Sequence, residues 1–232
     1  MLDVRRASER GHTQWGWLDS RHTFSFGDYH DSDHMGFRSL HVLNDDRVQP
    51  GQGFGTHGHR DMEILSYVLE GALEHKDSSG GGGVIRPGEI QFMRAGSGVQ
   101  HSEYNHSKSE PVHFLQIWIV PDKQGLQPTY GQQPFDADAA KRSFVLLASK
   151  EGRDGTIQIQ QDVDVWVTLL GKDERRELAL APGRGAWVHV ARGSVDLNGT
   201  LLREGDGAAV SGEDRLRFLG QGPGEVLVFD LK

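Results

Sequence analysis

The fold is decided by two short stretches of the chain, His57-Gly58-His59 and, about forty residues later, His101-Ser102-Glu103. Successive side chains of a β-strand point to opposite faces, so each stretch presents two ligating groups on one face. If the two strands lie close together, three imidazoles and one carboxylate converge on one point. This donor set suits a divalent transition metal ion and leaves coordination positions open for water, oxygen or substrate. The sequence therefore predicts a mononuclear, reactive metal site.

Segments with strand character recur at short intervals around these two stretches. Turn signals separate them, as in Ser78-Ser-Gly-Gly-Gly-Gly83, and the best candidate for a short helix covers residues 136–142. Even spacing of strands and turns is typical of a sandwich or barrel. The predicted strands cover residues 40–43, 64–69, 72–75, 88–93, 113–120, 156–160, 163–170, 186–190, 195–197 and 225–231.

A weak internal repeat sharpens this interpretation. The segment Tyr67-Val-Leu-Glu-Gly-Ala-Leu-Glu74 is followed by Ile85-Arg-Pro-Gly-Glu-Ile-Gln-Phe92. The same order of strand, glycine, strand and a glycine-containing turn returns in His189-Val-Ala-Arg-Gly-Ser-Val-Asp196 and Leu202-Arg-Glu-Gly-Asp-Gly-Ala-Ala209. Two copies of one β-barrel unit are the economical explanation.

The repeat also predicts the division of the chain into domains. We expect a metal-binding domain at residues 1–133 and a second domain at residues 134–232. Ala179 and Ala181 align with His57 and His59, so the second copy lacks the metal ligands.

Composition and charge exclude several classes of protein. The net charge of −8 argues against non-specific nucleic-acid binding, which needs a basic face. No apolar run approaches the roughly 18 residues needed to cross a bilayer, and the charged start Met1-Leu-Asp-Val-Arg-Arg6 does not resemble a secretory signal. The absence of cysteine removes disulfides and thiolate metal sites and fits a cytoplasmic location.

Longer motifs around the ligating residues resemble those of a known superfamily. Residues Gly51–Glu63 resemble the first cupin motif, and residues Gly88–Asn105 resemble the second. Two spacings depart from the general cupin pattern: seven residues instead of six separate Glu63 from Gly71, and four instead of two separate Gly96 from His101. In addition, Arg94 replaces the usual proline. These departures are themselves a signature, because they are similar to the pirin branch of the bicupins. The resemblance rests on three motifs: His57-Gly-His-Arg-Asp-Met-Glu63, Tyr67-Val-Leu-Glu-Gly71 and Ala95-Gly-Ser-Gly-Val-Gln-His-Ser-Glu103.

The pirin resemblance extends over about residues 10–120 and implies a fold and a ligand set. It implies an all-β bicupin with two tandem β-barrel or jelly-roll domains and a metal site in the N-terminal barrel. The metal ligands it implies are His57, His59, His101 and Glu103, the same four that the strand geometry selects. Glu63 is then expected to orient other residues or to be structural, whereas a one-residue difference in register would make it a ligand.

The resemblance also implies an activity, that of a metal-dependent quercetin 2,3-dioxygenase. Such an enzyme opens the ring of a flavonol with dioxygen and releases carbon monoxide, and Glu103 would act as general base. Iron is the first choice of metal; copper, nickel, manganese, cobalt or zinc fit the same ligands.

Two other functions stay open at the level of sequence. The first is a metal-binding redox sensor or regulator that acts through a protein partner, without catalysis. The second is a metal-dependent isomerase or hydrolase, because the cupin scaffold hosts many chemistries. An apolar cavity open to the metal would favour the enzyme over the sensor.

Overall fold

The computed structural model describes residues 1–232 and contains 22 strands, one short α-helix and two 3-10 turns. The first twelve strands are β1 Leu2–Arg5, β2 Gly11–Trp15, β3 Leu18–His22, β4 Leu40–Val48, β5 Gly53–His59, β6 Glu63–Glu70, β7 Leu73–Asp77, β8 Gly82–Ile85, β9 Glu89–Arg94, β10 Val99–Asn105, β11 Val112–Ile119 and β12 Thr129–Pro134. The other ten are β13 Val145–Ser149, β14 Ile157–Gln158, β15 Val163–Leu170, β16 Arg175–Ala179, β17 Gly185–Arg192, β18 Ser194–Leu197, β19 Thr200–Arg203, β20 Gly207–Ser211, β21 Arg215–Gly220 and β22 Gly224–Leu231. The helix α1 spans Ala137–Ala140, and the 3-10 turns span Ala7–Glu9 and Arg153–Gly155.

The all-β prediction is confirmed, and most predicted strands lie within observed ones. The strand expected over residues 156–160 is shorter, because only Ile157–Gln158 pairs with β13. The helix expected over residues 136–142 is reduced to α1, which starts where the Asp136 carboxylate accepts a hydrogen bond from the Ala139 N–H at 2.8 Å. No helix has the length and apolar character needed to span a membrane.

The N-terminal unit comprises Gly11–Phe135 together with Ile159–Gln161. It contains a seven-stranded sheet in the order β12-β9-β6-β11-β4-β3-β2 and a four-stranded sheet in the order β5-β10-β7-β8. Every strand pair in both sheets is antiparallel. Strand β10 shows why the sequence forms such sheets: alternate residues from Val99 to Asn105 are buried, and Gln100 and Tyr104 between them are exposed.

A row of polar side chains crosses the inner face of the larger sheet in this unit. The strand register pairs His22 with Asn44, Asn44 with Gln116, Gln116 with Ser66, and Ser66 with Gln91. All five residues are buried. We call these five residues the polar row.

Apolar clusters lie on both sides of the polar row. On β6, Ile64 and Val68 flank Ser66 on the same face, and they belong to two different clusters. One cluster consists of Leu18, Val48, Val68, Leu73, Ile85, Val112 and Phe114, and the other of Ile64, Met93, Ala95 and Val99. The polar row is therefore a polar layer between two apolar layers of the core.

The C-terminal unit comprises Met1–Arg10, Asp136–Gln158 and Asp162–Lys232. Its sheets have the orders β1-β20-β17-β22-β15-β13-β14 and β16-β21-β18-β19. Its core is apolar and contains Val188, Val190, Leu216, Phe218 and Val226.

The first ten residues belong to the C-terminal unit, whereas the sequence placed them in a first domain of residues 1–133. Strand β1 pairs with β20 over Leu2–Arg5, and Arg6 forms an ion pair with Asp206 at 2.8 Å. Both contacts join residues about 200 positions apart, so a local sequence pattern contains no sign of them.

The repeated glycine of the two copies occupies the same backbone conformation in both. Gly71 has φ +75° and Gly193 has φ +72°. A Cβ on Gly71 would lie 2.6 Å from the Pro111 carbonyl oxygen, and one on Gly193 would overlap the Pro223 carbonyl oxygen. Only glycine fits these turns, because it tolerates both the positive φ and the close approach.

The structure predicts that Gly71→Ala destabilises the protein more than Gly88→Ala does. Gly88 has a similar φ of +87° but nothing within 4 Å of an added Cβ, so its variant measures backbone strain alone. We expect the Gly71 variant to lose about 1–3 kcal/mol more, since the contact with Pro111 adds overpacking. Denaturant unfolding of both variants measures this difference, and equal losses would contradict the steric argument.

Candidate metal centre

The predicted ligands lie on two neighbouring strands of the four-stranded sheet. Strands β5 and β10 pair so that His101 is opposite His57 and Val99 is opposite His59. A bulge follows, because the register shifts between His101 and Glu103. Bulges re-aim the side chains that follow them, so the carboxylate is not constrained to continue the simple ladder.

The three predicted histidines come together in the structure. The ligand atoms of His57, His59 and His101 lie within 4.8 Å of one another. Their ring centroids are 4.4–4.8 Å apart. His101 is buried, and the other two are partly exposed.

The geometry of two ring nitrogens fits a metal ion between them. The Nε2 atoms of His57 and His101 are 3.0 Å apart. Two imidazoles bound at right angles to one ion, each at about 2.1 Å, place their nitrogens about 3.0 Å apart. The separation of these two nitrogens therefore fits a transition metal ion held between them.

Electrostatics keeps the cluster in the form that binds metals. Burial, and after it the neighbouring His57, lowers the pKa of His59 to about 4. Burial and then the surrounding imidazoles lower the pKa of His101 to about 2. Both rings are therefore neutral at physiological pH, as metal ligation requires.

Glu103 is buried to the same extent as His101. Its carboxylate shares a group of possible ligand atoms with His101 and His75, all within 4.8 Å of one another. Ser66 donates a hydrogen bond to Oε1 at 3.1 Å, and Gln116 donates one to Oε2 at 2.6 Å. Burial raises the pKa of Glu103 to about 7, against the lowering effect of these two donors.

Glu63 lies outside this cluster. It is buried, and its Oε1 accepts a hydrogen bond from the Arg94 guanidinium at 2.9 Å. Its Oε2 accepts one from the backbone N–H of Gln160 at 3.0 Å. The residue precedes Ile64, which faces the core, so Glu63 points to the opposite face of β6. It holds residues of the same unit together, and Arg94 in place of proline provides its partner.

A cavity of about 170 Å³ opens beside the cluster, and both His57 and Glu103 border it. Four aromatic side chains form much of its wall: Trp15, Phe26, Phe54 and Trp118. Trp118 packs edge-on against His59 at 4.8 Å between ring centroids. Phe54 and Trp118 line this cavity, whereas Phe24, Phe92 and Phe114 are buried elsewhere in the unit.

Strands β2, β3 and β4 contribute polar groups to the cavity wall. Asp46 accepts a hydrogen bond from Ser20. The His22 Nδ1 lies 2.9 Å from the Asn44 side-chain oxygen, and its Nε2 lies 2.9 Å from the Thr13 hydroxyl. The cavity therefore combines flat apolar surface with hydrogen-bonding groups.

Sequence reasoning did not select several residues at this site. Gln116, Asn44 and Asp46 approach the cavity only through the pairing of β4 with β11, which no local motif contains. His75 carried a usable signal: it alternates with Leu73, which is buried on the inner face of β7.

Two models of known protein families match the sequence of this chain. The Pirin family model matches residues 3–119, and a model described as the quercetinase C-terminal cupin domain matches residues 146–231.

Known proteins and solved structures are similar to this chain over nearly its full length. A protein of Escherichia coli (strain K12) named quercetin 2,3-dioxygenase is 46% identical over 231 residues, which cover 100% of this chain and 99% of that protein. The structure of the bacterial pirin YhhW from Escherichia coli in complex with nickel(II) is 45% identical, covers 100% of this chain and 99% of that one, and has a TM-score of 0.95. The Escherichia coli protein YhaK is 30% identical, covers 90% of this chain and 92% of its own, and has a TM-score of 0.76. The chain belongs to the pirin family.

Proposed function

We propose that this protein is a metal-dependent quercetin 2,3-dioxygenase, which opens the ring of flavonol-type substrates with dioxygen. The observation that carries the proposal is the cavity beside the cluster of histidines. It has aromatic walls for a flat ring system and borders His57 and Glu103. The full-length relative with 46% identity bears this name.

We propose that His57, His59, His101 and Glu103 hold one divalent transition metal ion. Three nitrogen donors and one oxygen donor accept iron, nickel, copper, manganese, cobalt or zinc. The related pirin structure contains nickel(II). Iron is our first candidate for the native ion on the family resemblance.

The residues around the cavity supply the rest of the chemistry. When bound, a divalent ion acts as a Lewis acid that lowers the pKa of an adjacent hydroxyl group. Glu103, at the cavity wall, takes the proton of that hydroxyl as general base. Gln116 and Ser66 hold the carboxylate in place through its two oxygens.

The two walls of the cavity orient the substrate. Trp118 and Phe26 pack edge-on at 5.4 Å, and their faces exclude water from the reacting ring. Ser20, Asn44 and Asp46 offer partners for further hydroxyl groups of a polyphenol. The substrate class that fits is a flat aromatic molecule with several hydroxyls.

The cavity favours the enzyme over the regulatory function, because a redox sensor needs no apolar chamber beside its metal. A protein partner and a cytoplasmic location stay predictions of the sequence.

Aerobic turnover of quercetin tests the proposed function directly. Protein stripped of metal and reconstituted separately with Fe(II), Cu(II), Ni(II), Mn(II) or Co(II) should consume the flavonol with at least one ion. His57→Ala should lose metal and turnover together, because it removes one ligand. His106→Ala is the matched control, since His106 is exposed in the same unit and hydrogen-bonds Glu74. If the protein binds metal but none of the five ions supports turnover, the proposed dioxygenase activity is contradicted and the role as a redox sensor is favoured.

Glu103→Gln tests the general base. At saturating metal, we expect turnover to fall by about 100-fold or more while the variant still contains metal, because the amide cannot take the proton. Glu63→Gln is the control: it changes a buried carboxylate that faces Arg94 instead of the cavity. Steady-state kinetics with metal analysis of each sample is the measurement. Unchanged turnover in the Glu103 variant would show that another group takes the proton.

A further inference from the structure

A fourth histidine, His75, lies directly behind the predicted metal ligand His101. It is fully buried on β7, and its Nδ1 lies 3.4 Å from the Nδ1 of His101. Its other ring nitrogen, Nε2, lies 3.1 Å from the Asp77 carboxylate oxygen Oδ2. Asp77, His75 and His101 therefore form a continuous chain of polar contacts that ends at the metal cluster.

The Asp77 carboxylate is fixed in this chain by the hairpin between β7 and β8. Its Oδ1 accepts hydrogen bonds from the Ser79 N–H at 2.8 Å, the Ser79 hydroxyl at 2.6 Å and the Gly81 N–H at 3.0 Å. Its side chain is fully buried. With Oδ1 taken by these donors, Oδ2 is the atom that faces His75.

This arrangement determines which nitrogen of each imidazole carries the proton. As a neutral imidazole, His75 has one N–H and one acceptor nitrogen. An ionised carboxylate only accepts hydrogen bonds, so that N–H is on Nε2 and points to Asp77. The Nδ1 of His75 then has a lone pair and accepts a hydrogen bond from the Nδ1–H of His101. The proton of His101 is thereby placed on the side away from the metal.

The result is a pair of unprotonated nitrogens that face each other. His101 presents the lone pair of Nε2 toward the Nε2 of His57, 3.0 Å away. The Nδ1–H of His57 is engaged separately, since it donates to the Gly55 carbonyl oxygen at 2.8 Å. Two facing lone pairs repel each other unless a cation lies between them. Tyr130 stacks on His75 with ring centroids 5.0 Å apart, and this contact holds the imidazole of His75 in its plane.

We propose that His75, anchored by Asp77, is a positioning residue that fixes the tautomer and orientation of His101 and thereby increases the affinity for the metal ion. The proposal rests on the proposed metal site. Residues that hydrogen-bond to ligating imidazoles commonly have this effect on metal affinity. Here the carboxylate acts through an intervening imidazole instead of contacting the ligand itself.

Asp77→Asn is the sharpest test, because it preserves shape and reverses the hydrogen bond. The backbone donors of Ser79 and Gly81 require the amide oxygen at the Oδ1 position, so the amide nitrogen faces His75. That nitrogen donates to Nε2, which moves the proton of His75 to Nδ1 and that of His101 to Nε2. We expect the dissociation constant for Zn(II), measured by chelator competition, to rise about 10- to 100-fold.

A second readout separates positioning from mere loss of structure. Long-range 1H–15N spectra of the metal-free protein report the tautomer of each histidine. We expect the proton of His101 on Nδ1 in the wild type and a changed pattern in the variants. His75→Phe, which retains a ring beside Tyr130, should weaken Zn(II) binding, whereas His75→Gln should restore most of it because an amide can accept and donate.

The chain offers a matched control in the same unit. His113 is also buried, and its Nε2 lies 2.7 Å from the Asp45 carboxylate, without contact to a predicted ligand. Asp45→Asn should leave the Zn(II) dissociation constant unchanged even if it lowers the melting temperature. Equal weakening in the Asp45→Asn and Asp77→Asn variants, or wild-type affinity and tautomer in Asp77→Asn and His75→Phe, would overturn the proposal.

The same measurements distinguish this proposal from the proposed function. If His57→Ala binds Zn(II) as tightly as the wild type, the metal site itself is wrongly assigned and the positioning role falls with it. If Zn(II) binding depends on His57, His75 and Asp77 but no ion supports quercetin turnover, the positioning role stands and the proposed activity fails.

Discussion

The register between β5 and β10 is the constraint on which the candidate site depends. Because side chains alternate along a strand, a slip of one residue would turn the imidazoles of His57 and His59 away from His101. Gly53 helps to fix this register: a Cβ there would overlap the backbone oxygen of Glu103, so only glycine allows the two strands to approach at the bulge. The glycines of this strand therefore act together with its histidines. One sets the distance between the strands, and the carbonyl of Gly55 orients the ring of His57.

The second constraint is the cost of a polar layer inside an apolar core. A buried polar group destabilises the fold unless it has a partner. In the N-terminal unit, Ser66 and Gln116 meet this requirement by donating to Glu103. In the C-terminal unit the corresponding interior is apolar, with residues such as Val188 and Phe218. The two units thus differ in the polarity of their interiors. The N-terminal unit contains buried polar groups that a ligand can contact, whereas the C-terminal unit contains apolar side chains that stabilise the fold by packing.

These constraints also explain how much the sequence could predict. The three histidines were found because their spacing is local and strand geometry converts it directly into a shared face. Glu63 remained ambiguous, since a shift of one residue decides its face and only the pairing with Arg94 and Gln160 settles it. The placement of Met1–Arg10 depends on pairing with β20, far along the chain.

The polar wall of the cavity was beyond sequence reasoning for the same physical reason. Ser20 and Asp46 meet because β3 pairs with β4, and Asn44 reaches Gln116 because β4 pairs with β11. Each contact is the product of several registers. Alternation within one strand predicts that such residues face inward, but it contains no information about which inward-facing residues become neighbours.

The charges of the candidate site make the stability of the fold depend on pH. Burial lowers the pKa values of His59 and His101 to about 4 and about 2, so without metal the folded protein loses stability as the pH falls below their ordinary value of 6.5. Burial raises the pKa of Glu103 from 4.5 to about 7, so this group has the opposite effect and costs stability as the pH rises through that range. A shift of that size disfavours the ionised carboxylate by about 3 kcal/mol. At pH values above 7 the imidazoles of His59 and His101 are already neutral. The Glu103 carboxylate is then ionised, and no positive charge offsets the cost of its burial. A divalent cation would stabilise the ionised carboxylate, and it binds imidazoles only in their neutral form. Above pH 7 both groups are therefore in the protonation state that a metal ion requires.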